Sequence, residues 1–169
     1  MSVSVQEADF DPGVEMAALS AGRDDVGAVA SFVGLVRADK LGGEDGRPAH
    51  GPEVSPGGTA SVRAMTLEHY PGMTERALRE IVIEAEARWR LQGVRVIHRV
   101  GRLLPGDRIV MVAVASAHRG DAFAACEFIM DFLKTRAPFW KKEDTDDGGR
   151  WVDARESDDV AAARWAPPA

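Results

Sequence analysis

The sequence predicts an α+β fold, and three observations predict it. Apolar residues recur at helical spacing in two long segments, 74–90 and 121–134. Elsewhere, short runs rich in β-branched residues alternate or run apolar, the mark of strands. Between Val94 and Ala117 two such strands are joined by a turn too short for a parallel crossover, so they pair antiparallel. At 169 residues the chain reads as one domain, 1–169, long enough to bury a sizeable core.

In order, "DPGVEMAALSAG" reads as a short helix: Asp11 caps, Pro12 suits the first position, and Gly22 lies past the end. "VGAVASFVGLVR" follows as a strand from Gly27 to Arg37. Residues 38–61, dense in Gly, Pro and charge, read as a long mobile loop. "VRAMTLEHY" is a strand, and Thr74 opens a helix with Ala77, Leu78, Ile81, Val82, Ala85 and Trp89 on one stripe. "VRVIHRVG" alternates, with Val94, Val96, His98 and Val100 on one face, and predicts a half-buried strand. "LLPGD" turns it into "RIVMVAVASA", another strand. A helix over 121–134 puts Ala122, Ala125, Cys126, Ile129, Phe132 and Leu133 toward the core and stops near Thr135, ahead of Pro138. Pro138-Phe139-Trp140 then reads as a stiff loop, and the tail around "ESDDVAAARW" as a final helix. The helix after "HYPGM" remains open as a crossover between parallel strands.

Composition narrows the function. Asp and Glu number 27 against 21 Lys and Arg, a net charge of −6, which argues against broad nucleic-acid binding. No apolar run nears the roughly 18–20 residues of a membrane span, and the N-terminus lacks a signal-like pattern, so a cytoplasmic location is expected. Cys126 is the single cysteine, set in "FAACEFIM", which leaves no internal disulfide or multi-cysteine metal site and predicts a buried thiol. No metalloprotease, redox-pair, phosphate-loop or nucleophile-elbow motif occurs, and neither metal nor cofactor is expected.

Against the acidic background, cations gather in two places. In "SAHRGD", His118 and Arg119 stand where a strand ends and a helix begins. Free N–H groups, the helix dipole and a guanidinium fork there would seat an anion. A capping turn with two solvated side chains is the alternative, and spacing alone favours it. In "LKTRAPFWKKED", Lys134, Arg136, Lys141 and Lys142 surround the Pro-Phe-Trp break. Lys134 alone could merely offset a helix C-terminus, and Lys141 with Lys142 could be a solvated pair. Crowded together, such lysines lose protons more easily, as a lysine nucleophile or base requires. Arg37 closes the strand in which Gly34 permits a close approach; an ordinary edge charge is the alternative. His69 and His98 read as packing residues.

"FVGLVR", "LEHYPGM", "VIHRVG", "PGD", "SAHR", "FIMDFLKTRAPFWKKE" and "RWVDARESD" together resemble, in order, the large, catalytic subunits of molybdopterin synthases. The likeness runs from about Gly27 to Trp165, failing only across the Gly/Pro-rich loop. It implies an α/β-hammerhead fold, with a mainly antiparallel sheet flanked by helices, and a homodimer. Each protomer would bind a small ubiquitin-like sulfur carrier, giving a heterotetramer. Two successive transfers, each of the one sulfur on a carrier's C-terminal Gly-Gly thiocarboxylate, would turn cyclic pyranopterin monophosphate into the molybdopterin dithiolene.

By the same resemblance Lys134 and Lys141 are the catalytic lysines, with Lys142 beside them. His118, Arg119 and Arg37 contact substrate, and Arg155 reaches an active site, in its own protomer or its neighbour's. The residues agree on one independent point: a dithiolene needs two sulfurs, and a chain with a single thiol and an end reading "RWAPPA" must receive them from another molecule. The competing readings are a non-catalytic docking module for a ubiquitin-like carrier and a single-strand nucleic-acid binder built on Phe139 and Trp140, which the net charge opposes.

Overall fold

The computed structural model describes residues 1–38, 62–145, 148–152 and 156–166. In chain order these form β1 (Ser2–Gln6), α1 (Pro12–Ser20), β2 (Ala28–Leu35), β3 (Val62–His69), α2 (Met73–Arg88) and β4 (Leu91–Arg99). Then come β5 (Gly101–Leu103), β6 (Arg108–Ser116), α3 (Arg119–Arg136), β7 (Phe139–Thr145), β8 (Gly148–Val152) and α4 (Glu156–Ala163). The class is α+β, as expected, and antiparallel pairing dominates. It is divided between two four-stranded sheets, β1-β4-β6-β2 and β5-β3-β7-β8.

The first sheet carries the core. Its centre is the antiparallel pair β4 and β6, with Val96 opposite Val112. β2 joins β6 antiparallel along one side. On the other side lies β1, a strand absent from the sequence reading, paired parallel to β4. One face is covered by α2 and α3, whose Leu78, Ile81, Val82, Ala125, Phe128 and Ile129 meet Val94, Val96, Val112 and Val114. The opposite face packs Ile97, Met111 and Ala113 beneath Phe10 and α1. The half-buried β4 expected from its alternation is therefore covered on both sides at Val96, Ile97 and His98. The alternation was real, but Ile97 sits among polar residues of the other face and finds its own small apolar cluster there.

The helix boundaries follow local chemistry. The Asp11 carboxylate accepts from the Gly13 and Val14 N–H groups at 2.7 and 3.1 Å, and Pro12 opens α1. Gly72 adopts φ +83° before α2, where Glu75 reaches back to its N–H at 2.6 Å, half of a capping box. α2 links β3 to β4, which lie in different sheets, so it is not a crossover between parallel neighbours. α3 ends at Ala137, extended because Pro138 follows. It is pinned at mid-length by Phe128, fully buried against the edges of Trp89 (5.4 Å) and Trp165 (5.5 Å).

The segment read as a stiff loop is instead the strand β7, between β3 and β8. Its sequence, "FWKKEDT", has no apolar period to announce a strand; partners on both sides supply the order. Two contacts set its start. The buried Thr74 hydroxyl accepts from the Tyr70 N–H (3.1 Å) and donates to the Pro138 carbonyl (3.0 Å). The Phe139 ring stacks on His98, with centroids 3.7 Å apart. His98, as expected, packs.

The His98 Nδ1 lies 2.8 Å from the Arg99 carbonyl, which can only accept, so Nδ1 carries the proton. Burial pushes the ring down to about 4, against the hydrogen bond to Arg99 that favours its charged form. Below the unfolded value of about 6.5, the unfolded chain takes up a proton that the folded chain refuses. Stability is complete above that pH and falls as pH drops from about 6.5 to 4, by about 3 kcal/mol. Urea unfolding across this range should show the decline in the native protein and a flatter profile in His98→Phe; parallel profiles would exclude His98 as its source.

Candidate functional site

The N-terminal end of α3 forms an open pocket of about 480 Å³, lined by Gly27, Ala117, His118, Arg119 and Gly120. β6 delivers the chain to it as a buried strand, and two residues, Ala117 and His118, turn it into the helix. His118 is the N-cap, extended at φ −127°, and no side chain caps the helix. The first N–H groups of α3 therefore point outward without an intrahelical partner, at the positive end of the helix dipole. The side chains of His118 and Arg119 are exposed beside them. The capping turn considered from the sequence is present, and it leaves the first donors of α3 without a side-chain cap. Gly27 closes the wall, since a Cβ there would lie 2.3 Å from the Ala117 carbonyl oxygen.

The other cations lie at the far end of the same helix. Lys134 is fifteen residues beyond Arg119 on α3, about 22 Å along the axis at 1.5 Å per residue. Its Nζ donates to the Asp158 carboxylate of α4 at 3.3 Å. Lys141 sits on β7, its Nζ 2.9 Å from Glu143, two residues on and on the same face of the strand. The crowding of like charges expected here gives way to carboxylate partners for both lysines. Glu143 and Asp158 were not singled out in the sequence. Glu143 becomes visible once β7 is known as a strand, whereas Asp158 depends on where α4 docks, which no local pattern states.

Arg37 is exposed just beyond β2. Val36 bonds the main chain of Gly106 and Asp107, which puts Arg37 at the Arg108 end of the first sheet, toward which α3 returns, and far from Gly27. Gly34 is approached by the Val110 side chain of β6: a Cβ would meet it at 2.8 Å. Lys142 alternates to the opposite face of β7 from Lys141, where it shares a surface with the exposed Trp140 and, across the ladder, Trp151. Arg155 and residues 39–61 of the long loop lie outside the described residues. One chain thus brings Arg37, Lys134 and Lys141 toward one end of the fold and holds His118 and Arg119 at the other. Among the described residues no cluster of His, Cys, Asp and Glu could hold a metal, and no helix is long and apolar enough to cross a membrane.

The α+β scaffold thus carries open main-chain donors and a guanidinium at the N-terminal end of α3, and lysines toward its other end. The chain belongs to the MoaE family: the family model described as MoaE protein matches residues 5–136. It is 58% identical over 164 residues to the molybdopterin synthase catalytic subunit of Ralstonia nicotianae, covering 97% of this chain and 84% of that one. Its fold matches the molybdopterin biosynthesis MoaE protein of Burkholderia ambifaria with TM-score 0.74, at 54% identity and 97% coverage of both chains. It also matches molybdopterin synthase from Staphylococcus aureus with TM-score 0.72, at 27% identity over 88% of this chain and 95% of that one.

The pocket geometry makes a direct prediction. Gly27→Ala must push β2 away from Ala117, because the obstructing atom is main chain. Phosphate or sulfate binding, followed by the chemical shifts of the Arg119 and Gly120 amides, should weaken about tenfold or more, as expected for lost charge-assisted contacts. Unchanged binding would show that the anion seat does not rely on this wall.

Proposed function

We propose that the chain is the catalytic subunit of a molybdopterin synthase. It takes sulfur from the C-terminal Gly-Gly thiocarboxylate of a small ubiquitin-like carrier and places it on cyclic pyranopterin monophosphate, twice, to build the dithiolene. Family membership and the relatives named as catalytic subunits support the reading. The observation that carries it is the arrangement of cations about α3: Lys134 on its last turn with Lys141 beyond it on β7, and His118 and Arg119 at its open N-terminal end. About 22 Å separates them, too far for one small precursor to touch both in one chain.

Two copies related by a twofold axis, with their α3 helices antiparallel, join the two ends. His118 and Arg119 of one copy then face Lys134 and Lys141 of its partner, and the site is shared. The surface beside α3 suits such a contact. β2 is an edge strand with Phe32 and Leu35 exposed, and Phe123 of α3 is exposed nearby.

In this site the Arg119 guanidinium, His118 and the α3 N–H groups grip the cyclic phosphate, and Arg37 helps hold the pterin. Fixing the precursor against the carrier terminus supplies the orientation a two-substrate reaction needs. Lys134 assists attack by the thiocarboxylate and its release, by proton transfer or by charge, while Lys141 stabilises oxyanion or phosphate charge. Lys142 and Arg155 complete the proposed binding set. Sulfur comes from the carrier because the chain's own thiol, Cys126, is buried and its Sγ lies 3.7 Å from the Val112 carbonyl. A cytoplasmic location belongs to this reading, and cell fractionation checks it.

In an assay with purified carrier thiocarboxylate and precursor, Lys134→Ala should lose at least about a hundredfold in molybdopterin formation. Undiminished product would refute the assignment. Mixing Lys134→Ala with Arg119→Ala after subunit exchange tests the shared site. Random hybrids carry one intact site each, so activity should return to about a quarter of the native level. No recovery from two folded, dimeric variants would place all the groups within one chain.

A further inference from the structure

The "ARESD" stretch ends in Asp158, and no role above is assigned to it. Its carboxylate, on α4, is the acceptor for Lys134 Nζ. The Lys134 side chain is 50% exposed and that of Asp158 22% exposed, so the partner is held more firmly than the lysine it meets. α4 is also not a loosely attached tail. Just beyond its end, Arg164 reaches Asp131 and Glu127 of α3 at 2.7 and 2.6 Å. The Trp165 indole N–H donates to Asp131 at 2.7 Å, Arg88 donates to the Trp165 carbonyl at 2.9 Å, and the Trp165 ring stands edge-on to Trp89 and Phe128. These contacts fix the helix that presents Asp158.

We propose that Asp158 is the positioning residue of Lys134, an inference that rests on the catalytic reading of that lysine. A lysine on the last turn of a helix has four rotatable bonds and, half exposed, no packing to choose among its rotamers. One hydrogen bond to a fixed carboxylate selects a position and spends one of three N–H donors. The other two stay available to the carboxylate-like terminus of the carrier. An exposed ion pair of this kind adds little to stability. Its consequence is therefore catalytic: it sets where the ammonium waits. Because Asp158 carries the same charge as the incoming terminus, it does not contribute to gripping that terminus.

The test is Asp158→Asn in the full chain, assayed with thiocarboxylated carrier and precursor, with kcat and KM for the carrier measured separately. The amide keeps the shape of the side chain and loses its charge. The expected result is a fall of about tenfold in kcat with KM unchanged or lower, and recovery of most of the loss in Asp158→Glu. In a Lys134→Ala background the same substitution should cost nothing further. Native kcat in Asp158→Asn would overturn the proposal. So would a loss expressed only as a higher KM, a loss that Asp158→Glu does not repair, or an undiminished loss in the Lys134→Ala background. Full activity of Lys134→Ala alone would instead remove the reading beneath it, and that result appears without touching Asp158.

Discussion

The structure depends on one rigid rod. α3 leaves the first sheet through a two-residue turn and cannot extend past Ala137, because proline follows. Those two stops fix its length and place positive groups at both ends. Everything around it serves to keep it straight and seated: β6 and β2 beneath, α2 and α4 alongside, and Phe128 at its middle, locked by three aromatic neighbours. A rod of this kind separates charges as reliably as a flexible loop would mix them. The separation of Arg119 and Lys134 along the helix is thereby a property of the backbone, not of side-chain rotamers.

The second sheet meets this core through apolar, aromatic and polar contacts together. Val36, just beyond β2, and the partly buried Ile109 of β6 pack with Met65 and Leu67 of β3 and Leu103 of β5. The Thr74 hydroxyl and the His98–Phe139 stack add a positional constraint. They dictate where β7 begins, and strand alternation then decides that Lys141 and Glu143 share one face while Lys142 takes the other. A change of one residue in that starting point would exchange the two lysines.

Much of this was legible in the sequence, and the reasons are specific. The caps of α1, the stripe of α2 and the proline stop of α3 are local chemistry, and the structure has them where the residues put them. Cys126 and His98 were readable as packing residues because their neighbours are apolar. β1 was missed although "SVSVQ" alternates, since five residues with small side chains leave a weak pattern. β7 was missed because its order comes from β3, some seventy residues earlier in the chain. At the site, His118, Arg119, Lys134 and Lys141 were visible as types in context. Their separation was implicit in the length of α3, which puts fifteen residues between Arg119 and Lys134 and which residue types alone do not state. Asp158 was invisible, since its meaning arises only when Trp165 docks α4.

The burial of Cys126 has a chemical consequence. Burial pushes its thiol up to about 11. At neutral pH about one molecule in ten thousand carries the thiolate, the form that would react with a stray persulfide or oxidant. Burial thus keeps the chain's one thiol out of thiolate chemistry.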